Sequence, residues 1–263
     1  MFIPLHDSNN LKHIKLQYVT LGLIAANVLV FLFVNLGSSL DTLEAVVVQL
    51  GYIPALVNDV SELPAEMVII PEEFSLVTYA FLHADIMHLG GNMLFLWVFG
   101  DNVEDAMGHV RFLIFYILSA IAGALAHGLM DPGSTAPLIG ASGAVAGIVG
   151  AYLMLHPKVR VWVLVLGRIP LPLPAWIPLV FWIGFQVVML VGMLDEQVSW
   201  AAHVGGFIAG VILVLFMRRS GVPLFDRTVE TPDAVVRSVP TISAQADGGA
   251  TPDTEPEQKQ WGR

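Results

Sequence analysis

The chain has 263 residues, 56% of them hydrophobic and 13% charged, with a formal net charge of −10 and no cysteine. A soluble domain carries roughly a quarter charged residues, so this balance excludes an ordinary soluble fold and points to a polytopic membrane protein. The absent cysteines exclude disulfides, thiol nucleophiles and thiolate metal sites, and no basic groove marks a nucleic-acid partner.

In chain order, residues 1–17 form a short polar segment with Lys12 and Lys15. No small-residue cleavage site follows, so the first apolar run is expected to be retained rather than removed as a signal. About 20 apolar residues cross a bilayer, and six runs qualify: Tyr18–Leu36, Leu76–Phe99, Phe112–Met130, Leu138–Leu155, Trp176–Leu194 and Trp200–Met217. A long loop, residues 37–75, separates the first two. Val161–Ala175 is apolar but broken by Gly167, Pro170, Pro172 and Pro174, and is expected to lie at the membrane interface. From about residue 220 to 263 the chain turns rich in Pro, Asp, Glu, Thr, Ser and Gly, the composition of a disordered tail.

Charge orients the spans. Lys12, Lys15, Arg111, Lys158, Arg160, Arg168, Arg218 and Arg219 fall on one side, whereas loops 37–75, 131–137 and 195–199 hold acids and no Lys or Arg. The positive-inside rule places both termini in the cytoplasm and the acidic loops outside; a short chain without a transit peptide is expected in a plasma or inner membrane. The expected class is an all-α, six-helix bundle over residues 18–219.

Ionisable groups inside spans are costly and invite a functional reading. His88 and Asn92 open span 2, Ser142 opens span 4 and His203 opens span 6, and these three spans run the same way. Their polar groups therefore share one depth. His88 and Asn92 stand at i and i+4, on one helix face. Gly206 and Gly210 continue the face of His203, and Gly140, Gly143, Gly147 and Gly150 form a matching stripe beside Ser142. Two small-residue stripes let two backbones approach, within reach of a serine–histidine contact. Such a pair supports nucleophilic catalysis, because neutral imidazole accepts the hydroxyl proton near pH 7. Oxyanion donors would be the Ser142 N–H, Asn92 and His88. Asp101, Glu104 and Asp105 lie at the opposite end of span 2, which leaves a dyad without a carboxylate. Each residue also has a plainer reading: Ser142 as packing glue, His203 as a cap, His88 with Asn92 as a helix-start support, His127 and His83 as structural. The common depth is what the plainer readings do not require.

GASG at 140–143 resembles the nucleophile motif of the rhomboid intramembrane serine proteases, HLGGN at 88–92 their HxxxN motif, and AHVGGFIAG at 202–210 their AHxxGxxxG motif. GDNVEDAMGHVRF at 100–112 resembles the family's loop after the second span, with Glu104, Gly108 and Arg111 in matching places. The resemblance covers roughly residues 75–217. It implies a six-helix rhomboid bundle, with Ser142 as nucleophile, His203 as base, His88 and Asn92 at the oxyanion and Gly140 shaping the turn before the serine. His83, Gly143, Gly206 and Gly210 would support them. It also implies membrane-protein substrates cleaved in or near their own transmembrane segment, no metal or cofactor, and a moving gate made of span 5 and the loop before span 6. Two departures stand out: loop 37–75 lacks the Trp–Arg pair of many members, and Ala146 replaces a tyrosine that stacks on the histidine. A catalytically inactive rhomboid-like protein that binds membrane clients is the alternative function. A transporter would need ionisable groups through the full depth of the membrane, and here they cluster near one side.

Overall fold

A computed structural model of the chain describes residues 2–35, 40–165, 167–192 and 198–226. The described residues form helices α1 (Tyr18–Asn35), α2 (Leu40–Leu50), α3 (Pro54–Val57), α4 (Ser75–Thr78), α5 (Ile86–Met107), α6 (His109–Met130), α7 (Ser142–Leu155), α8 (Trp176–Gly192) and α9 (Trp200–Met217). Strands β1 (Phe2–Asp7), β2 (Arg160–Val165) and β3 (Ile169–Pro174) make one antiparallel sheet in that order. Helices α1, α6 and α9 are long and apolar enough to cross a membrane, and α7 and α8 are shorter apolar helices. Phe33, Leu129, Val191 and Phe216 are largely exposed on them, as side chains facing lipid are. The chain is a mostly helical membrane protein.

Two spans begin later than the apolar runs suggest. The run from Leu76 is interrupted: α4 and a 3-10 turn end at Phe81, and α5 starts only after Asp85. Asp85 is extended and its Oδ1 accepts from the N–H groups of Met87 (2.8 Å) and His88 (2.9 Å), an N-cap that fixes the helix start. α5 then continues eight residues beyond Phe99. Likewise α7 starts at Ser142, not Leu138. Leu138 exchanges backbone hydrogen bonds with Tyr52, and Gly140 donates to the Tyr79 carbonyl at 2.9 Å. The approach to Ser142 is therefore extended chain tied to two buried tyrosines.

Glycine sets how closely the helices pack. A Cβ on Gly206 would land on the carbonyl oxygen of Gly143, and one on Gly210 on that of Gly147. The order of these pairs makes α7 and α9 parallel and in backbone contact. α6 covers the same seam, with Gly123 against Ala202 and Ser119 against Gly147. Gly140 does not belong to the stripe; it sits before α7 at φ 115°.

The opposite end of the bundle holds the carboxylates of Glu104, Asp105 and Asp7. Glu104 is fully buried and caps α1, accepting from Val19 N–H (3.0 Å), Thr20 N–H (2.8 Å) and Thr20 O–H (2.7 Å). Asp105 accepts from the backbone of Lys12, His13 and Ile14. Residues 218–226 return to the same end, with Arg219 N–H on Ala106 and Phe225 N–H on Met154. Ordered chain thus extends past residue 220, and the tail from 227 onward lies outside the described residues.

The proline-broken run at 161–175 is a hairpin, β2–β3, completed by β1 from residues 2–7. Pro170, Pro172 and Pro174 alternate along β3, the outer strand, where missing N–H groups leave no ladder bond unmade. Val161 and Val163 face inward and are fully buried. Asp7 closes β1 onto the bundle: its Oδ2 accepts from Tyr152 O–H at 2.6 Å and from Asn102 Nδ2 at 2.8 Å.

Two outcomes follow. Helix propensity favours Ala over Gly by about 1 kcal/mol, but a Cβ against a backbone carbonyl cannot escape by rotamer change, and overpacking costs about 1–3 kcal/mol. The Gly210→Ala variant is expected to melt several degrees lower, whereas Gly22→Ala, with open space around its Cβ, is expected to be neutral or stabilising. Second, burial pushes the Asp7 carboxyl up to about 6 despite its hydrogen bonds from Tyr152 and the Asn9 backbone. A raised carboxyl stabilises the docked strand below the ordinary carboxylate range and loses that contribution as pH rises through about 6. Hydrogen-exchange protection factors of β1 should fall across that window, and Asp7→Asn should flatten the fall; an equal fall in the variant contradicts the assignment.

Candidate active site

Ser142, His88 and His203 all lie in the first turns of α7, α5 and α9. The first N–H groups of a helix have no intrahelical acceptor, although His203 N–H already reaches the Ser199 carbonyl at 3.3 Å, and the helix dipoles put partial positive charge at that layer. The backbone contact between α7 and α9 brings the Ser142 hydroxyl to 2.8 Å from His203 Nε2. Both side chains are half-buried. α9 is held at its start by Ser199, which accepts from Ala202 N–H at 3.2 Å and meets His127 Nδ1 at 2.7 Å. His127 is thus a tie between α6 and α9.

Gly140 makes room for the second pair of polar groups. A Cβ there would sit 2.5 Å from His88 Nε2 and 3.7 Å from Asn92 Nδ2. Its φ of 115° belongs to a region that favours glycine. His88 Nε2 and Asn92 Nδ2 thus converge on the residue two before the serine. Asn92 is buried, and its Nδ2 has no hydrogen-bond partner among the described residues. An N–H donor left open in a buried place beside a hydroxyl suits an oxygen that arrives with substrate. His83 packs edge-on against His88 with ring centroids 5.0 Å apart, and its Nε2 lies 3.5 Å from Ala141 N. Gly143 lies against the Tyr79 hydroxyl, whose proton goes to the Ala120 carbonyl at 2.7 Å.

The environment of His203 holds three residues that the sequence reading missed. Gln186 Oε1 of α8 is 2.8 Å from His203 Nδ1. Trp182 lies tilted over the ring at 6.0 Å, and Trp200 stands edge-on at 6.1 Å. A signal was present: Gln186 is the one polar side chain in Trp176–Gly192, and a buried polar group in an apolar span needs a partner. Residues 193–197, most of the loop before α9, lie outside the described residues.

The rhomboid domain family model matches residues 71–220. The chain belongs to the rhomboid family. It is 34% identical over 151 residues to the mitochondrial rhomboid protein 1 of Saccharomyces cerevisiae, covering 54% of this chain and 41% of that protein. It is 34% identical over 147 residues to rhomboid-like protease 3 of Toxoplasma gondii, covering 54% and 51%. With the rhomboid protease GluP of Bacillus subtilis it shares 33% identity over 145 residues, 53% of this chain and 25% of the relative. The matched stretch thus spans about half or less of each of these relatives.

If Gly140 is glycine to admit His88, then Gly140→Ala is expected to displace the imidazole while the bundle persists. Histidine ring NMR signals of His88 should shift, with melting temperature lowered by only a few degrees; unchanged ring signals in a folded variant contradict that role.

Proposed function

We propose that this protein is an intramembrane serine endopeptidase that cleaves membrane-protein substrates in or near their transmembrane segments. The observation that carries the reading is the 2.8 Å contact between Ser142 Oγ and His203 Nε2, with the unpartnered Asn92 Nδ2 close to Gly140, two residues before the serine. His203 Nε2 takes the Ser142 proton as Oγ attacks the scissile carbonyl carbon. The Ser142 N–H, His88 Nε2 and Asn92 Nδ2 stabilise the oxyanion that forms. The C–N bond breaks, His203 passes its proton to the leaving amine, and an acyl-enzyme on Ser142 remains. Water then loses a proton to His203 and attacks the ester; Ser142 recovers its proton as the acid product leaves. Every step uses groups of this chain and water.

The long apolar helices α1, α6 and α9 and the shorter apolar helices α7 and α8 support a membrane placement. Reading the Lys/Arg-bearing end as cytoplasmic puts Ser142 and His203 near the outer face of the cell membrane, with both termini inside. The site then meets substrate and water from the outer side, and a lipid bilayer surrounds the rest.

Reconstituted with a single-span model substrate, wild type should cleave, and Ser142→Ala and His203→Ala should each lose roughly 10⁴-fold or more in rate. Cleavage that survives Ser142→Ala overturns the proposal. A folded wild type inert toward a panel of substrates, yet retaining them on capture, supports the client-binding alternative.

A further inference from the structure

Neutral imidazole has two tautomers, and only the one protonated at Nδ1 offers an Nε2 lone pair to a serine hydroxyl. Something must therefore accept a proton at Nδ1 of His203. Asp101, Glu104 and Asp105 sit at the far end of α5. Trp182 and Trp200 touch the ring, but an indole has a donor and no acceptor. The group facing Nδ1 is the Gln186 amide oxygen, at 2.8 Å.

We propose that Gln186 is a positioning residue for the Ser142–His203 pair: its amide oxygen, delivered by α8, holds the His203 ring proton on Nδ1 and turns Nε2 toward Ser142. This rests on the proposed protease reading for its catalytic consequence, and on geometry alone for the ring's tautomer. Gln186 is 4% exposed on a helix that holds no other amide, hydroxyl or charged side chain and whose buried residues are otherwise only Pro178 and Leu179. A lone amide in such a helix is stable only with a partner, and the partner is His203. A carboxylate in its place would bring a costly charge into the hydrocarbon region. The neutral amide avoids that cost. It sets orientation without stabilising the imidazolium that forms during attack, so the serine–histidine pair is aligned but lacks the charge partner of a Ser-His-Asp triad.

The experiment compares Gln186→Met, near in shape and without an acceptor, with Gln186→Glu, which restores an acceptor oxygen at the same reach. Cleavage by Gln186→Met should fall in kcat on the order of 10²-fold with little change in KM, a loss smaller than that from misplacing the tautomer in a full triad. Gln186→Glu should recover most of the kcat and move the acid limb of its pH profile upward, because a carboxylate favours the charged ring. The ¹⁵N shifts of His203 give the readout that needs no activity. Wild type and Gln186→Glu should show the Nδ1-protonated form, and Gln186→Met a mixture or the Nε2-protonated form. A merely structural role moves the melting temperature and leaves the tautomer and the kcat–KM split alone; that result overturns the inference. If wild type fails to cleave yet shows the Nδ1-protonated ring, lost in Gln186→Met, the protease reading falls and the positioning role stands. Should Gln186→Met fail to fold, an Nε2-protonated ring in Gln186→Glu or in wild type overturns the role by itself.

Discussion

The arrangement depends on one contact, the backbone of α7 lying directly on the backbone of α9. Gly206 rests on the Gly143 carbonyl and Gly210 on the Gly147 carbonyl, with no side chain between. In lipid there is little hydrophobic gain from pressing two apolar helices together, so close packing itself supplies the association. That approach also sets the distance between the first turns of the two helices. A serine side chain is short, and the 2.8 Å contact of Ser142 with His203 closes only because the helices meet at backbone distance. The same residues thus hold the bundle together and align its polar pair.

The two ends of the bundle divide their polar chemistry. At one end Glu104, Asp105 and Asp7 spend their oxygens on backbone N–H groups, a tyrosine and an asparagine amide. They tie α1, the first residues of the chain and the sheet to the end of α5. At the other end the imidazoles of His83, His88 and His203 and the amides of Asn92 and Gln186 gather around three helix starts. The carboxylate of Asp85 also lies there, with its Oδ1 held by the N–H groups of Met87 and His88. Donors and neutral bases suit an oxyanion, and the partial positive charge of helix N-termini adds to them.

Much of this was legible in the residues, for a definite reason. Ser142, His203, His88 and Asn92 are polar groups in apolar spans, and parallel spans with small-residue stripes leave few ways to arrange them. The structure pairs Ser142 with His203 and sets His88 and Asn92 against Gly140, two residues before the serine. Gln186 escaped because attention to ionisable side chains passes over an amide, although burial in lipid constrains an amide almost as strongly. The late start of α5 escaped because hydropathy does not register a cap: one Asp85 side chain outweighs ten residues of apolar run. The sheet was hidden for another reason. Its partners β1 and β2 are separated by most of the chain, and the prolines of β3 read as breaks when they are the mark of an outer strand.

Serine, histidine and glutamine form a line from α7 through α9 to α8, with no charge along it before reaction. The pair at its head is reactive only while α7 and α9 stay in backbone contact, and that claim can be tested without knowing a substrate. A serine-directed fluorophosphonate reports the nucleophilicity of Ser142 itself. In wild type, labelling should be confined to Ser142. In a folded Gly206→Ala variant, where a single methyl group pushes on the Gly143 carbonyl, the labelling rate should drop at least tenfold. Labelling of that variant at the wild-type rate would contradict the account.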